Sequence, residues 1–259
     1  MFGFGEKRLH STRDEHGLIE VIENRNERSL HFGSPAKQSS YLLNDPNYLH
    51  LSYTRAMLTS LIFQPKPRKI LIVGLGGGSL VKFLLNHLPD CEIDVVELRG
   101  EVYQTARQYF HLPDDLRLTV HINDIRHHIQ QLRSSHSNHY DLILVDAFVN
   151  DGLSDSVVGN QFFSAVFNFL KPKGILSMNL WHDDQNTSKW VMETINATFG
   201  NRAMKISLDD KENVITLVRK GLQLHPFERN LLQFAKDLQG VTQIELPKFL
   251  RVMREHSLD

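Results

Sequence analysis

A glycine-rich turn that directly follows an apolar strand is the feature that most constrains this chain. Residues 70–73 are Ile-Leu-Ile-Val, and residues 74–79 read Gly-Leu-Gly-Gly-Gly-Ser. An acid, Glu97, ends the next apolar run about 20 residues further on, where a nucleotide-binding fingerprint places one. Glycines let the backbone approach a ligand, and a carboxylate can accept hydrogen bonds from both ribose hydroxyls. Because a tight strand-to-helix turn needs glycines in any case, it is their combination with Glu97 that predicts a site for an adenosine-containing ligand.

From residue 70 onward, apolar strands alternate with helical stretches. Strands are predicted at 70–74, 92–97, 117–122, 141–146 and 175–180, and helices at 79–88, 101–110, 124–133, 160–170 and 186–199. This alternation is typical of a parallel sheet covered on both faces. Two more strands, 203–208 and 214–218, flank a polar turn and predict a terminal antiparallel hairpin. The predicted fold class is therefore α/β, a mostly parallel, Rossmann-like sheet of the S-adenosylmethionine-dependent methyltransferase type, and not a dinucleotide dehydrogenase.

The flanks of this sheet have different patterns. Residues 17–43 alternate modestly and predict short strands or hairpins, whereas residues 46–63 have the apolar period of a helix. Residues 227–238 and 246–255 are amphipathic and predict packing helices. We therefore expect three parts: a small N-terminal β segment with a linking helix (1–64), a Rossmann-like nucleoside-binding domain (65–221) and a C-terminal helical extension (222–259).

Composition excludes several classes of partner and cofactor. A net charge of −1 over 259 residues gives no electrostatic reason to expect nucleic acid or an anionic membrane. The chain has no apolar run of roughly 20 residues, and its start lacks the apolar core of a signal peptide, so we expect a cytoplasmic protein. Its single cysteine, Cys91, excludes a disulfide within the chain. The best metal candidate, residues 182–184 (His-Asp-Asp), consists of adjacent residues that rarely converge on one ion, so we expect no metal.

Three acids, Glu97, Asp124 and Asp146, stand at the carboxyl ends of predicted strands, where open α/β sheets bind their ligands. Glu97 on the ribose and Asp124 on the amino group of the base form a sensible pair. Asp124 is equally suited to cap the following helix, and the two roles are compatible. Asp146 lies where the reacting end of the ligand is expected, although an acid at a strand end can also simply cap a loop. The polar loop behind it, residues 147–155, has the character of a binding loop.

From residue 17 to 180 the chain resembles the spermidine synthase family, the polyamine aminopropyltransferases. The cues follow one another in the family's order: Gln38-Ser39, the helix with Tyr53, the loop at 74–79, and the segments at 95–98, 123–124, 140–146 and 170–176. The resemblance implies a donor such as decarboxylated S-adenosylmethionine, S-adenosylmethionine or methylthioadenosine, a small-molecule acceptor, and a possible homodimer. Asp146 is then the catalytic base. The expected donor-binding residues are Gln38, Gly74, Gly76, Gly77, Gly78, Glu97 and Asp124. The expected acceptor-side residues are Tyr53, Arg55, Asp151 and Trp181.

Departures from the family pattern leave the reaction open. Gly77 stands where the family usually has an aspartate, Arg55 where it has a glutamate, and Arg99 where it has a second acid. Aminopropyl transfer to a polyamine needs carboxylates that hold a polycation, and Arg55 would repel it by on the order of 4 kcal/mol at 4 Å. S-adenosylmethionine keeps a carboxylate that Arg55 or Arg99 could pair with. The alternatives are thus a methyltransferase of unknown acceptor and a noncatalytic nucleoside-binding relative. A nicotinamide-dependent oxidoreductase is the distant competitor, since Ser79 replaces the third glycine of its fingerprint.

Overall fold

The computed structural model describes residues 5–132, 137–149, 152–181, 185–200, 203–208, 213–226 and 229–255. The N-terminal segment forms a four-stranded antiparallel sheet with the strands in chain order: β1 (Lys7–Asp14), β2 (Gly17–Glu23), β3 (Glu27–His31) and β4 (Lys37–Leu42). The predicted β segment is confirmed, but it begins ten residues before the predicted start. β1 carries a largely polar sequence because it is an edge strand with little buried surface, so it lacks the apolar alternation that marks β2.

The linking segment is two short helices, α1 (Ser52–Met57) and α2 (Ser60–Phe63), so the single helix predicted over 46–63 is wrong. Two hydroxyl groups compete with the helical hydrogen-bond ladder. The Thr54 hydroxyl donates to the carbonyl of Leu51 at 2.7 Å, and the Ser60 hydroxyl donates to that of Met57 at 2.9 Å. Such local bonds offer the backbone an alternative to continuous helix. The apolar period reflects burial of both pieces and not one helix.

The central sheet has eight strands, and helices alternate with strands along the chain as predicted. In chain order the elements are β5 (Lys69–Val73), α3 (Ser79–His87), β6 (Glu92–Glu97), α4 (Gly100–Tyr109), β7 (Leu118–Ile122), α5 (Ile125–Leu132), β8 (Tyr140–Val145), the short hairpin strands β9 (Phe148–Val149) and β10 (Gly152–Leu153), a 3₁₀ turn (Asp155–Val157), α6 (Asn160–Phe169), β11 (Leu170–Trp181), α7 (Gln185–Phe199), β12 (Met204–Ser207) and β13 (Asn213–Arg219). The C-terminal elements are α8 (Leu231–Thr242), α9 (Leu246–Val252) and β14 (Arg254–Glu255).

Strand order explains where a ligand can bind. The order across the sheet is β14-β12-β13-β11-β8-β5-β6-β7. β5, β6, β7, β8 and β11 run parallel, and β13 runs antiparallel to both of its neighbours, β11 and β12. The chain starts at β5, builds outward to β7 and then crosses back to β8. The topological switch point, the place where open α/β sheets bind ligands, therefore lies between β5 and β8. The predicted methyltransferase-type sheet with its terminal hairpin is confirmed.

Apolar cores lie on both faces of the central sheet. On one face the helices α1, α3, α8 and α9 pack over the strands, and on the other α5, α6 and α7 do so. A third cluster joins the N-terminal sheet to α4, through residues such as Leu30, Val102 and Phe110. Two details differ from the prediction. β11 begins at Leu170, so the turn predicted at 171–174 is an irregularity inside the strand. The last predicted helix ends at Val252, and β14 pairs with β12 beyond it.

Candidate functional site

A cavity of about 550 Å³ opens at the switch point, beyond the carboxyl ends of β5, β6, β8 and β11. Its size fits a small organic ligand, since such sites measure about 300–1,000 Å³. The sheet, the loop before β4, β4 itself, α1 and the 3₁₀ turn all contribute to its walls. The cavity brings together eight of the residues predicted from the sequence: Gln38, Tyr53, Gly74, Gly76, Glu97, Asp124, Asp146 and Trp181.

Gly74 holds the two strands at the switch point close together. Its φ of +94° is unfavourable for any other residue, and a Cβ built on it would lie 2.1 Å from the carbonyl oxygen of Asp146. The glycine therefore lets the end of β8 approach the end of β5. This close approach brings Asp146 to the wall of the cavity.

Gly77 and Gly78 do not line the cavity, so their predicted contact with the ligand is not supported by the structure. A Cβ on Gly77 would lie 2.7 Å from the ring of Phe110 and 2.8 Å from the hydroxyl of Ser39. Gly78 caps α3 with a φ of +73°, and a Cβ there would meet Leu112 at 2.7 Å. These glycines are needed for packing of the turn against the N-terminal sheet and the loop after α4. The residues of the turn that border the cavity are Gly74, Leu75 and Gly76.

Glu97 organises the glycine turn as well as facing the cavity. One of its carboxylate oxygens accepts a hydrogen bond from the backbone N–H of Leu75 at 2.8 Å, and the other accepts from that of Arg99 at 2.9 Å. Burial raises the pKa of Glu97 above its ordinary value, and the backbone N–H donors offset part of that rise. The backbone N–H of Gly76 also acts on this carboxylate. A carboxylate has about four lone-pair sites, so Glu97 can still accept from a hydroxyl group of a ligand.

Asp124 lies directly before α5 and has the geometry of a helix cap. It accepts from the backbone N–H of Arg126 at 2.7 Å and from the hydroxyl of Ser156 at 2.9 Å, and the Arg126 guanidinium pairs with it at 2.9 Å. Burial opposes ionisation, but the hydrogen bonds from Arg126 and Ser156 outweigh it and lower the pKa of Asp124 to about 2. Asp124 therefore stays ionised. It caps the helix and borders the cavity at once, so the two roles weighed for it are compatible.

Asp146 forms the centre of a polar network at the end of β8. Its carboxylate accepts a hydrogen bond from the side-chain amide of Asn179 at 3.0 Å and another from the hydroxyl of Tyr53. The Asn179 oxygen in turn accepts from the amide of Asn213 at 3.0 Å. Burial raises the pKa of Asp146, while the bonds from Asn179 and Tyr53 partly counter the rise. A carboxylate with a raised pKa is a stronger base, which suits removal of a proton from a reacting group.

Tyr53 donates to Asp146 and stays protonated. Burial, together with the neighbouring Asp146 charge, raises the pKa of Tyr53 well above its ordinary value. The same hydroxyl donates to the backbone carbonyl of Gln38 at 3.2 Å, so its single proton is shared between that carbonyl and the Asp146 carboxylate. The contact between α1 and β4 thus fixes the phenol beside the carboxylate.

Among the residues that line the cavity, Asn179 and Asn213 were not predicted from the sequence, and Phe148 was predicted only as part of the binding loop 147–155. Asn179 is only 1% exposed within the otherwise apolar end of β11, and an amide in such a strand is the signal that could have found it. The ring of Phe148 stacks on Trp181 with centroids 5.3 Å apart and an angle of 21° between the planes. Together these rings form an aromatic wall beside Asp146 and Asn179.

The two arginines predicted to face the ligand are held by carboxylates of this chain. Arg55 lies outside the cavity, and its Nε donates to both carboxylate oxygens of Glu245 at 3.1 and 3.0 Å. Arg99 borders the cavity, but its guanidinium donates twice to Asp14, at 2.9 and 2.8 Å. The structure thus gives no support to the predicted contact of Arg55 with the acceptor or the donor carboxylate, which stays a prediction. Its partner lies in a distant part of the sequence.

Some predicted features cannot be placed. Asp151 and the His-Asp-Asp cluster at 182–184 lie outside the described residues. Within the described part of the chain, no group of three or more His, Cys, Asp or Glu side chains is arranged to hold a metal ion. In that same part, no helix has both the length and the apolar character needed to cross a membrane.

Comparison with known proteins identifies relatives of this arrangement. A family model described as the spermine/spermidine synthase domain matches residues 51–216. The polyamine aminopropyltransferase of Chromobacterium violaceum is 32% identical over 239 residues, covering 92% of this chain and 89% of that protein. A probable spermidine synthase from Corynebacterium glutamicum has the same fold, with a TM-score of 0.75 at 19% identity over 89% of this chain and 87% of that one. Human methyltransferase-like protein 13, crystallised with SAH, gives a TM-score of 0.61 at 26% identity over 81% and 96% of the two chains.

Proposed function

The chain belongs to the spermine/spermidine synthase family, and we propose that it transfers an aminopropyl group from decarboxylated S-adenosylmethionine to an amine. The charge that faces the cavity is the observation that carries this proposal. Three acids, Glu97, Asp124 and Asp146, border the cavity, and of these Asp124 is itself ion-paired, with Arg126. Among the described residues of its wall, the cationic side chains are Lys37 and Arg99, and each is already ion-paired, with Glu27 and Asp14.

This balance of charge favours the decarboxylated donor. That molecule carries a sulfonium and an ammonium group and no carboxylate, so acids in the wall attract it. S-adenosylmethionine adds a carboxylate, for which the described wall offers no unpaired guanidinium or ammonium group. The repulsion that Arg55 would exert on a cationic substrate does not arise, since Arg55 is neutralised by Glu245 outside the cavity.

The donor is proposed to lie across the carboxyl ends of the strands. Glu97 accepts from the ribose hydroxyls, Asp124 accepts from the amino group of the base, and the backbone at Gly74 and Gly76 allows close approach. In this placement the sulfonium end points toward Asp146. Gln38, which borders the cavity from β4, covers the nucleoside from the N-terminal segment.

Asp146 is proposed as the general base. The acceptor nitrogen attacks the aminopropyl carbon bonded to sulfur, and a carbon–nitrogen bond forms as the carbon–sulfur bond breaks. The electron pair of the broken bond stays on sulfur, so the sulfonium becomes the neutral thioether methylthioadenosine. The nitrogen gives its proton to Asp146. Tyr53 and Asn179 hold the carboxylate in place, and a positioned base of this kind contributes about 10²–10⁴-fold to the rate.

The aromatic wall gives the acceptor a surface to lie on. The stacked rings of Phe148 and Trp181 suit the carbon chain of an amine, and their faces attract a second ammonium group through cation–π contact. A diamine such as putrescine therefore fits this side of the cavity, with one nitrogen at Asp146 and the other along the rings.

Methyl transfer from S-adenosylmethionine is the second candidate. It is favoured by the likeness to methyltransferase-like protein 13, whose crystal structure contains SAH. Both reactions use a sulfonium donor in the same place on the sheet. They differ in the charge of the donor's tail and in the group that leaves sulfur.

Calorimetry and mass spectrometry distinguish the two reactions. We expect decarboxylated S-adenosylmethionine to bind at least about tenfold more tightly than S-adenosylmethionine, which corresponds to 1.4 kcal/mol, and to yield methylthioadenosine when putrescine is added. Asp146→Asn should keep donor affinity but lower turnover by about 10²–10⁴-fold. Asp114→Asn, an acid-to-amide change on the exposed loop before β7, is the matched control and should leave both unchanged. Tighter binding of S-adenosylmethionine with formation of S-adenosylhomocysteine would instead establish methyl transfer. Absence of binding by either donor would reject both reactions.

A further inference from the structure

The helix that carries Tyr53 is too short to hold its own position. α1 has six residues, and helices much shorter than about 12 residues are marginal in water without tertiary contacts. Tyr53 presents its hydroxyl to Asp146 on the cavity side. Arg55, two residues later, lies about 200° further around the helix, on the opposite side. Contacts of Arg55 therefore act on the back of the helix whose front forms the site.

Arg55 joins α1 both to the segment that precedes it, residues 48–50, and to Glu245. Its Nη1 donates to the backbone carbonyls of Leu49 and His50, at 2.7 and 2.8 Å, and so fixes the segment that enters α1. Its Nε donates to both oxygens of Glu245. The guanidinium also lies 5.4 Å from the ring centroid of Tyr48. The residue that follows the fixed segment, Leu51, borders the cavity.

Glu245 presents this carboxylate from the C-terminal extension. It directly precedes α9, whose buried residues Leu246, Phe249 and Leu250 share a core with Met57 of α1. The Arg55 and Glu245 side chains are 13% and 31% exposed, so water screens the pair only in part. The ion pair therefore fixes how α1 sits on α9, in addition to the apolar contact between them.

We propose that Glu245 is a positioning residue for the reaction, which holds α1 through Arg55 so that the Tyr53 hydroxyl stays on the Asp146 carboxylate. The inference rests on the proposed function, because that function supplies the reaction for which Tyr53 and Asp146 are positioned. It assigns to the C-terminal extension a direct part in the geometry of the catalytic base, although Glu245 itself lies outside the cavity.

A loosened α1 has a consequence for pH dependence. Among the described residues, Tyr53 is the titratable group that hydrogen-bonds Asp146, and Asn179 is its neutral partner. A hydrogen bond to the charged form lowers a carboxyl pKa. Loss of the bond from Tyr53 therefore raises the pKa of Asp146, and activity that needs the ionised carboxylate is lost at a higher pH.

The test compares Glu245→Gln with Asp237→Asn, an acid-to-amide change on the exposed face of α8, where the side chain accepts from Gln233 of the same helix. For Glu245→Gln we expect kcat/KM for the acceptor to fall between about tenfold and hundredfold, as for an ångström-scale misplacement. The donor dissociation constant should stay within about twofold of the unmodified protein. The acidic limb of the pH profile should move to higher pH, and adding Tyr53→Phe should move it no further. Asp237→Asn should change none of these values.

Hydrogen exchange provides a readout that needs no turnover. In Glu245→Gln the amides of residues 48–53 should exchange faster than in Asp237→Asn, while those of β5 and β8 should not. An unchanged acidic limb together with unchanged exchange at 48–53 would overturn the inference, whatever the loss of stability. If the unmodified protein forms no aminopropyl product, the proposed function fails, and exchange at 48–53 alone then decides whether the ion pair positions α1.

Discussion

Replacing Gly74 with alanine should disturb the fold and the position of the Asp146 carboxylate together. The added Cβ would lie 2.1 Å from the carbonyl oxygen of Asp146 and 2.8 Å from its carbonyl carbon. Both are backbone atoms, so rotation of a side chain cannot relieve the overlap. The positive φ costs about 1–2 kcal/mol, and displacing a packed backbone costs about 1–3 kcal/mol. The free energy of unfolding should therefore fall by about 2–5 kcal/mol.

Urea denaturation followed by circular dichroism measures this loss, and the turnover of the folded fraction shows whether Asp146 has moved. Gly200→Ala is the matched control, because Gly200 also has a positive φ, of +65°, but a Cβ there meets no atom within 4 Å. It should lose only about 1–2 kcal/mol and keep full activity. Equal losses in the two variants would show that the approach of β5 to β8 is not constrained as described.

Three further predictions concern single side chains. Tyr53→Phe should move the acidic limb of the pH profile to higher pH, because the lost hydrogen bond no longer lowers the pKa of Asp146. Glu97→Gln should weaken donor binding at least about tenfold and lower stability by about 1–3 kcal/mol, since the amide replaces one of two buried acceptors with a donor. Burial lowers the pKa of Lys82 to about 8 from a usual 10.5, so the unfolded chain binds more protons between these pH values and stability should rise with pH across them. The rise, on the order of 3 kcal/mol, should disappear from denaturation curves of Lys82→Met and persist in Lys236→Met, on an exposed part of α8.

The sheet could be predicted from the sequence because its signal is local. Strands alternate with helices, and the central strands β5 and β8, buried on both faces, are visible as short runs of Ile, Leu and Val. Two elements lacked such a signal. β1 is a polar edge strand, and its pairing with β2 depends on a neighbour and not on its own pattern. The break between α1 and α2 depends on hydroxyl-to-carbonyl bonds that an apolar period does not show.

In the site, too, features with a local sequence pattern could be predicted, and contacts between distant residues could not. Glu97, Asp124 and Asp146 could be predicted because parallel strands end at one edge of a sheet, so acids in that position must gather there. The partners of Arg99 and Arg55 could not be predicted, because they lie far away in the sequence. Asp14 is 85 residues from Arg99, and Glu245 is 190 residues from Arg55. Asn179 was missed because it is one polar residue in an apolar strand, and its partner Asn213 comes from the following strand, β13.

The arginines that replace family acids bear directly on the choice of donor. In the sequence, positively charged residues at positions 55 and 99 favour a donor with a carboxylate. In the fold, each guanidinium is matched by a carboxylate of the chain, so neither offers an unpaired positive charge to the ligand. Under the proposed function, the acids Glu97 and Asp146 then determine the potential of the wall and favour a dicationic donor over a zwitterionic tail. It follows that removal of the Asp14 charge should give the wall the attraction for a donor carboxylate that the paired Arg99 does not provide. Asp14→Asn would expose an unpaired guanidinium beside the cavity and shift the relative affinity toward S-adenosylmethionine, whereas an unchanged ratio of the two donor affinities would show that charge at the wall does not select the donor.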